Sequence, residues 1–413
     1  MKHSKGWALL ASTMTLAICA GAQESRDFYK IGVVCELSGD TVTGGNVCKR
    51  GYDLWAQEVN AQGGIKVGSK KYKVQLFYGD SQSNPSQGAA AAERLITQEH
   101  VDFMFGPYTS GCAIAVGPVV EKYKVPIING SAESPNVWLQ HFKYSFGAIP
   151  PVNFTGAMAI QTLAKLSPAP KTAVVFGSND TFSKATATAF NAECEKLGIK
   201  VFKFNIVPEG QDLTPLLSAM KGLRPDIVAF GGHDEELINL VKDLRQIDYT
   251  PKAVLMHYGV TEPAFVDALK GDANQVFGGA VWDEATKTSS KILWKDSPTY
   301  AAAAKKAFGV PADYTQAGCS VSGIIFQEAV AKLNAPPPLN EATREKLIPI
   351  LEGLDLQTFY GRIKFATEGD FYHANIGISP LTVQIQNGVV KTVGPEKVAE
   401  AKAQYPMTPW SQR

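Results

Sequence analysis

The sequence has few cysteines, and their spacing excludes the common metal and redox motifs. Six cysteines occur among 413 residues, and Cys19 lies in a predicted leader, so an odd number remains for disulfide pairing. No Cys-x-x-Cys spacing, His-x-x-x-His pair or Cys/His cluster occurs, and we expect neither a metal nor a cofactor. Cys35 ends a predicted strand and Cys48 opens the next helix, so a bridge between them is expected. Cys194 and Cys319 are expected to be buried free thiols.

The sequence also lacks an excess of charge, a membrane-spanning run and the common enzyme motifs. The formal net charge is +1, which gives no reason to expect nucleic acid as a partner. No apolar run after the leader is long enough for a transmembrane helix. There is no G-x-S-x-G elbow, no phosphate loop and no G-x-G-x-x-G after the first strand. Glu36 and Asp80 end neighbouring predicted strands, but no nucleophile stands beside them, so an enzyme is not expected.

The amino terminus has the pattern of a secretory signal peptide. A basic start precedes an apolar run from Trp7 to Ile18, and an Ala20-x-Ala22 cleavage site follows. Lipid attachment at Cys19 is the alternative, and it is disfavoured because Ile18 stands where a small residue is needed. The sequence therefore predicts an exported protein that is cleaved near Ala22.

Two regions of the chain alternate short apolar runs with helical patterns. The first alternation begins at Tyr29 and reaches Ile128, and the second runs from Thr172 to Met256. A chain of this length exceeds one ordinary core, so two domains are expected. The sequence predicts an α/β fold of two doubly wound lobes. Residues 276–282 predict one more strand, which is expected to return the chain to lobe one, and residues 382–390 predict a hairpin.

The stretch 101–135 holds two strand–loop units in succession. One apolar run ends at Gly106-Pro107 and leads into Tyr108-Thr109-Ser110, and the next ends before Asn129-Gly130-Ser131. The carboxyl ends of adjacent parallel strands meet at one sheet edge, where open α/β sheets bind ligands. Hydroxyl and backbone N–H groups there suit a small anionic or polar ligand. We therefore expect half of a binding site in these two loops.

Several segments, taken in order, resemble the type I periplasmic solute-binding proteins, specifically the branched-chain amino acid-binding group of ABC importers. These segments are Ile31-Gly32-Val33 with Leu37-Ser38-Gly39, Gly51 with 56–65, Gly79-Asp80-Ser81, Gly106-Pro107-Tyr108-Thr109-Ser110, Val125-Pro126-Ile127-Ile128, and Phe359-Tyr360-Gly361 with Phe365 and Gly369-Asp370. The resemblance implies two lobes joined by three crossover segments, with the ligand cleft between them. It places the crossovers near residues 144–148, 279–283 and 359–365.

The resemblance also implies how the chain is divided and what it does. The expected division is a signal peptide over 1–22, lobe one over 23–146 and 281–361, and lobe two over 147–280 and 362–413. A monomer in the periplasm would capture a small carboxylate-bearing solute by closing its lobes. It would then offer the solute to the permease subunits of an ABC transporter in the membrane.

Ligand contacts are implied in both lobes. The lobe-one loops match those that hold a ligand carboxylate, and the lobe-two loops face them across the cleft. The expected ligand-binding residues are Tyr108, Thr109, Ser110, Gly130, Ser131, Ala132, Asn179, Phe182, His233, Asp234, His257, Tyr258 and Trp282. Structural roles remain open for several of them: helix capping at 108–110, dipole compensation at Asp234 and hinge packing at Trp282.

The sequence departs from the family at the acid that binds a ligand ammonium. Gly259 stands at the best-matched position, and Glu262 comes later, at a predicted helix start. Asp234 could replace the missing acid, and a branched-chain or related amino acid is then the expected ligand. Otherwise the ligand lacks an amine and is an aromatic or aliphatic carboxylate. The aromatic residues expected to contact such a ligand are Tyr108, Phe182 and Trp282.

Overall fold

The computed structural model describes residues 26–413, so the predicted signal peptide, its cleavage site and Cys19 lie outside the described residues. The strands are β1 (Phe28–Cys35), β2 (Ile65–Val67), β3 (Lys70–Asp80), β4 (Phe103–Phe105), β5 (Ile127–Asn129), β6 (Ser145–Gly147), β7 (Thr172–Ser178), β8 (Lys200–Val207), β9 (Ile227–Gly231), β10 (Ala253–His257), β11 (Phe277–Ala280), β12 (Asp355–Thr358), β13 (Gly361–Lys364), β14 (Leu381–Gln386) and β15 (Val389–Gly394). The helices are α1 (Val42–Ala61), α2 (Pro85–Thr97), α3 (Ser110–Tyr123), α4 (Val152–Ala164), α5 (Thr181–Lys196), α6 (Thr214–Lys221), α7 (Asp234–Gln246), α8 (Pro263–Leu269), α9 (Ser297–Phe308), α10 (Tyr314–Leu333) and α11 (Glu341–Glu352). In this part of the chain, no helix combines the length and the apolar character that crossing a membrane requires.

The strands form two separate large sheets, one in each lobe. The lobe-one sheet has the order β2-β3-β1-β4-β5-β6, and it is parallel except for the β2–β3 pair. The lobe-two sheet has the order β15-β14-β11-β10-β9-β7-β8, and it is antiparallel only where β14 joins β11 and β15. A short β12–β13 hairpin stands apart. The prediction of an α/β fold with two doubly wound lobes is confirmed.

Residues from late in the chain complete the core of lobe one. Helix α1 buries a stripe that includes Tyr52, Trp55 and Val59, and α10 packs along that stripe. A Cβ on Gly323 of α10 would lie 2.0 Å from the Trp55 ring, so this glycine lets the indole approach the helix closely. The Ser320 hydroxyl donates to the Gly51 carbonyl over 2.7 Å. Segment 297–352 therefore belongs physically with the first sheet.

Local differences from the sequence predictions have packing explanations. Helix α1 begins at Val42, before Cys48, which was expected to open it. The earlier start is possible because Gly45 has no side chain: a Cβ there would lie 1.9 Å from the Glu36 carbonyl oxygen. After β5, residues Pro135–Val137 form only a 3-10 turn. Strand β11 ends in the lobe-two sheet, so the chain returns to lobe one only after it. The residue boundaries of the lobes stay a prediction.

The predicted Cys35–Cys48 disulfide is wrong. Both cysteines are free and buried, and the Cys48 thiol donates to the Ser131 hydroxyl over 3.3 Å instead. The expectation for Cys194 and Cys319 is confirmed, since both are buried free thiols. Cys48 therefore links α1 to a cleft loop by a hydrogen bond.

Candidate functional site

Loops from both lobes meet in one cavity at the carboxyl ends of their parallel strands. Its lining consists of hydroxyl, imidazole, carboxylate and aromatic side chains from residues Tyr108, Thr109, Ser110, Ser131, Glu133, Phe182, His233, Tyr258, Tyr314 and Thr315. The cavity measures only about 10 Å³, which is room for about one water molecule. A ligand of amino acid size therefore requires the lobes to separate before it can enter.

Two polar contacts join the lobes directly across this cavity. The Tyr108 hydroxyl of lobe one lies 3.2 Å from Nδ1 of His233 in lobe two. Glu133 Oε2 of lobe one lies 3.1 Å from Nε2 of His257 in lobe two. Both distances are within hydrogen-bonding range, so the structure shows the lobes in a closed arrangement.

A carboxylate of the protein itself organises the loop after β4. Glu36, at the end of β1, accepts hydrogen bonds from the Tyr108 N–H over 2.9 Å and the Thr109 N–H over 3.0 Å. It also accepts from the Thr109 hydroxyl over 2.8 Å, and that hydroxyl caps α3 at the Cys112 N–H. Ser110 Oγ accepts from the Ser134 N–H over 3.1 Å. The Tyr108 and Thr109 donors that were expected to hold a ligand carboxylate are thus engaged by Glu36, whereas the Ser110 hydroxyl is not.

The loop after β5 contributes Ser131 to the cavity but not its two neighbours. The Ser131 hydroxyl donates to the Tyr108 carbonyl over 3.1 Å. Gly130 lies against α10, where a Cβ would come within 2.7 Å of Cys319 Cα. Ala132 is buried, and its N–H donates to Asn129 Oδ1 over 2.9 Å. Gly130 and Ala132 therefore support the loop without lining the cavity.

Glu133 is a site residue that the sequence reasoning missed. Its side chain is 2% exposed, and its Oε1 accepts from the Tyr314 hydroxyl over 3.0 Å. With Oε2 near His257 and the same carboxylate lining the cavity, Glu133 is an acid positioned to meet a cationic ligand group. The position of Glu133 could have identified it as a candidate, because it directly follows the Gly130-Ser131-Ala132 segment in a predicted ligand loop.

In lobe two, Asp180 takes the place that the sequence assigned to Asn179. Asn179 is exposed and does not line the cavity, because the chain turns there before α5 begins. Asp180 caps α5 by accepting from the Phe182 N–H over 2.8 Å, and its Oδ1 lies 3.4 Å from His233 Nε2. Burial opposes ionisation of both groups, but the bond between them raises the pKa of His233 to about 9 and lowers that of Asp180 to about 2. His233 is therefore a cation at neutral pH.

Aromatic rings form the apolar walls of the cavity. The Phe182 ring lies 5.4 Å from the His233 ring and 5.6 Å from the His257 ring, between centroids. Tyr258 packs edge-on against Tyr108 at 6.0 Å. The site thus combines a positive imidazole, a buried carboxylate and an aromatic enclosure, which suits a small solute with both polar and apolar parts.

Three further predicted residues, His257, Asp234 and Trp282, do not line this cavity. Asp234 stands at the start of α7, with its carboxyl group close to the Tyr258 hydroxyl. The Trp282 indole N–H donates to Ser297 Oγ over 3.1 Å and to the Phe359 carbonyl over 3.3 Å, because the ring is packed where the chain leaves lobe two. Trp282 lines a second cavity instead. Among residues 26–413, no group of three or more His, Cys, Asp or Glu side chains is arranged to hold a metal ion.

The sequence matches known proteins over most of its length. A family model described as periplasmic binding protein matches residues 29–378. A Leu/Ile/Val-binding protein homologue of Brucella melitensis is 26% identical over 229 residues, which are 55% of this chain and 61% of that protein. The Leu/Ile/Val-binding protein BraC3 of Rhizobium johnstonii is 24% identical over 341 residues, which are 82% of this chain and 88% of that protein.

Solved structures share the fold at low sequence identity. The substrate binding protein LivJ of a branched-chain amino acid transporter from Streptococcus pneumoniae, in complex with isoleucine, has a TM-score of 0.75 at 20% identity, covering 89% of this chain and 100% of that chain. An ABC transporter solute binding protein from R. palustris, in complex with benzoate, has a TM-score of 0.74 at 16% identity, covering 92% and 99%. Because the family model matches well over half of the sequence, this chain belongs to the periplasmic binding proteins.

Proposed function

We propose that this chain is the exported substrate-binding subunit of an ABC importer, and that it captures a small solute by closing its two lobes. The observation that carries the proposal is the cavity between the lobes, bridged by Tyr108–His233 and Glu133–His257. Contacts of this kind tie ligand enclosure to lobe closure, which a permease can sense. The proposal includes a monomer in the periplasm, a signal peptide removed near Ala22 and permease subunits as partners.

The ligand class that we propose is a branched-chain or related amino acid. Glu133 supplies the buried acid that an ammonium group needs, which the loop around Gly259 lacks. His233 is charged and offers a partner for the ligand carboxylate, and the Phe182 and Tyr258 rings enclose an apolar side chain. The Leu/Ile/Val-binding relatives and the isoleucine-bound structure support this choice.

The second candidate is a non-amino carboxylate, either aromatic or aliphatic. The aromatic walls of the cavity and the benzoate-bound neighbour favour it. The buried Glu133 carboxyl group speaks against it, because its oxygens would lie close to a ligand carboxylate while only His257 and Tyr314 face them. A ligand sensor or a hydrolase fits the site less well than either candidate.

Ligand identity is tested by mass spectrometry of the solute released from the purified protein, followed by calorimetry with two panels. One panel holds leucine-like amino acids, and the other holds aryl and alkyl carboxylates. We expect amino acids to be released and to bind. If every member of both panels fails to bind, the claim of a carboxylate-bearing ligand is wrong.

The double change Ser110→Ala and Ser131→Ala is expected to weaken ligand binding by more than tenfold. The two hydroxyls join the loops after β4 and β5 through Ser134 and Tyr108, and each lost hydrogen bond costs about 1 kcal/mol or more. Calorimetry with the best ligand measures the change, and Ser86→Ala on the exposed start of α2 is the matched control. Unchanged affinity would remove these loops from the site.

A further inference from the structure

A second cavity lies between the lobes, on the other side of Tyr314. Its volume of about 380 Å³ is within the range of small-molecule sites. Lobe two contributes the start of α8 and the turn between β14 and β15, and lobe one contributes α9 and the segment before α10. Tyr314 lines both cavities, so this ring separates the two spaces.

Buried acceptor atoms without hydrogen-bond partners line this second cavity. Glu262 is 3% exposed and Asp313 is 4% exposed. Glu262 Oε1, Asp313 Oδ2 and Thr261 Oγ1 accept no hydrogen bond from a donor group in 26–413. The Glu262 and Asp313 carboxyl groups lie close enough to share a proton. The other Asp313 oxygen caps α10 at the Gln316 N–H over 2.7 Å, which fixes the direction of this carboxyl group. Unsatisfied acceptors of this depth are rare in folded proteins and call for a partner.

The carboxyl groups of Glu262 and Asp313 come from opposite lobes and repel one another when both are ionised. Burial, and then the Asp313 carboxyl, raise the pKa of Glu262 well above its usual range, while Arg50 acts in the opposite direction. Two adjacent buried carboxyl groups are stabilised by a shared proton or by a cation placed between them. The charges around the rest of the cavity favour the cation, since Asp267, Asp283 and Glu284 outnumber Lys305.

The walls of the cavity indicate which kind of cation fits. Trp282, Val266, Ala301 and Val389 give the cavity apolar sides, and an inorganic ion would leave those sides without a partner. The described residues also lack a cluster with the ligands that a metal ion requires. A small organic cation matches both parts of the cavity, because its charged end meets the carboxyl groups and its apolar end meets the walls.

We propose that this second cavity binds a small organic cation, with its ammonium or guanidinium group held between Glu262 of lobe two and Asp313 of lobe one. The bound cation joins the lobes by a contact separate from the cavity that Glu133 lines. This site goes beyond the proposed function, because it takes a second solute class whether or not the first cavity takes an amino acid.

The test is calorimetry on the full mature protein with butylammonium, butylguanidinium and uncharged butylurea. We expect both cations to bind and butylurea to bind at least tenfold more weakly, because it has a similar shape without the charge. Glu262→Gln and Asp313→Asn should each weaken cation binding at least tenfold. Glu396→Gln and Asp370→Asn, on exposed loops, should change it by less than twofold.

Several outcomes would overturn the proposal. Equal binding of butylurea would show that the cavity is a purely apolar site. Displacement of the bound organic cation by calcium chloride or sodium chloride would show that it is a metal site. Absence of binding by either cation would mean that the two carboxyl groups share a proton instead. If a variant fails to fold by circular dichroism, the comparison of charged and uncharged probes on the unaltered protein still decides. Glu133→Gln should leave cation binding unchanged, which separates failure here from failure of the proposed function.

Discussion

Replacing Glu133 with glutamine is expected to weaken the binding of leucine-like amino acids by about thirtyfold or more. The carboxylate is buried in the cavity, and the ammonium group of the ligand loses its charged partner when an amide replaces it. Losing one member of a buried charge pair costs about 2–5 kcal/mol, and each 1.4 kcal/mol corresponds to about tenfold in affinity. Calorimetry with leucine or isoleucine measures the difference directly.

The same substitution distinguishes the two ligand classes. An aryl carboxylate should bind the Glu133→Gln protein as well as the unaltered protein or better, because the change removes a negative charge near the anion. Glu99→Gln, at an exposed position of lobe one, is the matched control and should leave both ligands unaffected. Unchanged amino acid affinity after Glu133→Gln would exclude this residue as the ammonium partner.

Replacing Asp102 with alanine is expected to destabilise the protein by roughly 3–5 kcal/mol. Asp102 is 1% exposed and accepts from the Lys30 N–H over 2.8 Å, the Leu339 N–H over 2.7 Å and the Arg26 guanidinium over 2.7 Å. Each buried donor left without an acceptor costs about 1–3 kcal/mol, and three segments distant in sequence lose their common link. Urea unfolding followed by circular dichroism gives the free energy of unfolding.

A graded series makes the stability prediction testable even if the alanine variant does not fold. Asp102→Asn keeps one acceptor oxygen, so its loss of stability should be intermediate. Asp355→Asn removes a carboxylate that pairs with Arg362 on the surface, and it should not shift the unfolding midpoint measurably. An equal midpoint for Asp102→Ala and the unaltered protein would show that water replaces these hydrogen bonds.

The parts of the fold predicted well from sequence are those with local signals. An asparagine followed by a proline is a common helix start, and α2 begins at Pro85 with the Asn84 side chain accepting from the Ser86 N–H over 2.9 Å. Strand β2 was missed, because Ile65–Val67 is too short to show a period and gains its structure only by pairing with β3. Helix caps and long elements are therefore predictable from local sequence, whereas short strands form only by pairing with partners that are distant in sequence.

The sequence predicted several of the loops that line the cavity but not the contacts of their side chains. Tyr108 and His233 do lie on facing loops, 3.2 Å apart, and their role in ligand binding stays a prediction. The sequence could not show that Glu36 would occupy the donors of the Tyr108–Ser110 loop. Nor could it show which of Asn179 and Asp180 would face inward, because a one-residue shift in a turn reverses the direction of a side chain.

The return of α10 to the first sheet has a consequence for how the molecule forms during synthesis. The hydrogen bond between Ser320 and Gly51 spans 269 residues. The lobe-two sheet likewise includes β14 and β15, which lie near the carboxyl end of the chain. Neither lobe can complete its core until most of the chain has left the ribosome. Contacts between residues this far apart in sequence slow folding, so the chain stays unfolded for longer during and after its synthesis.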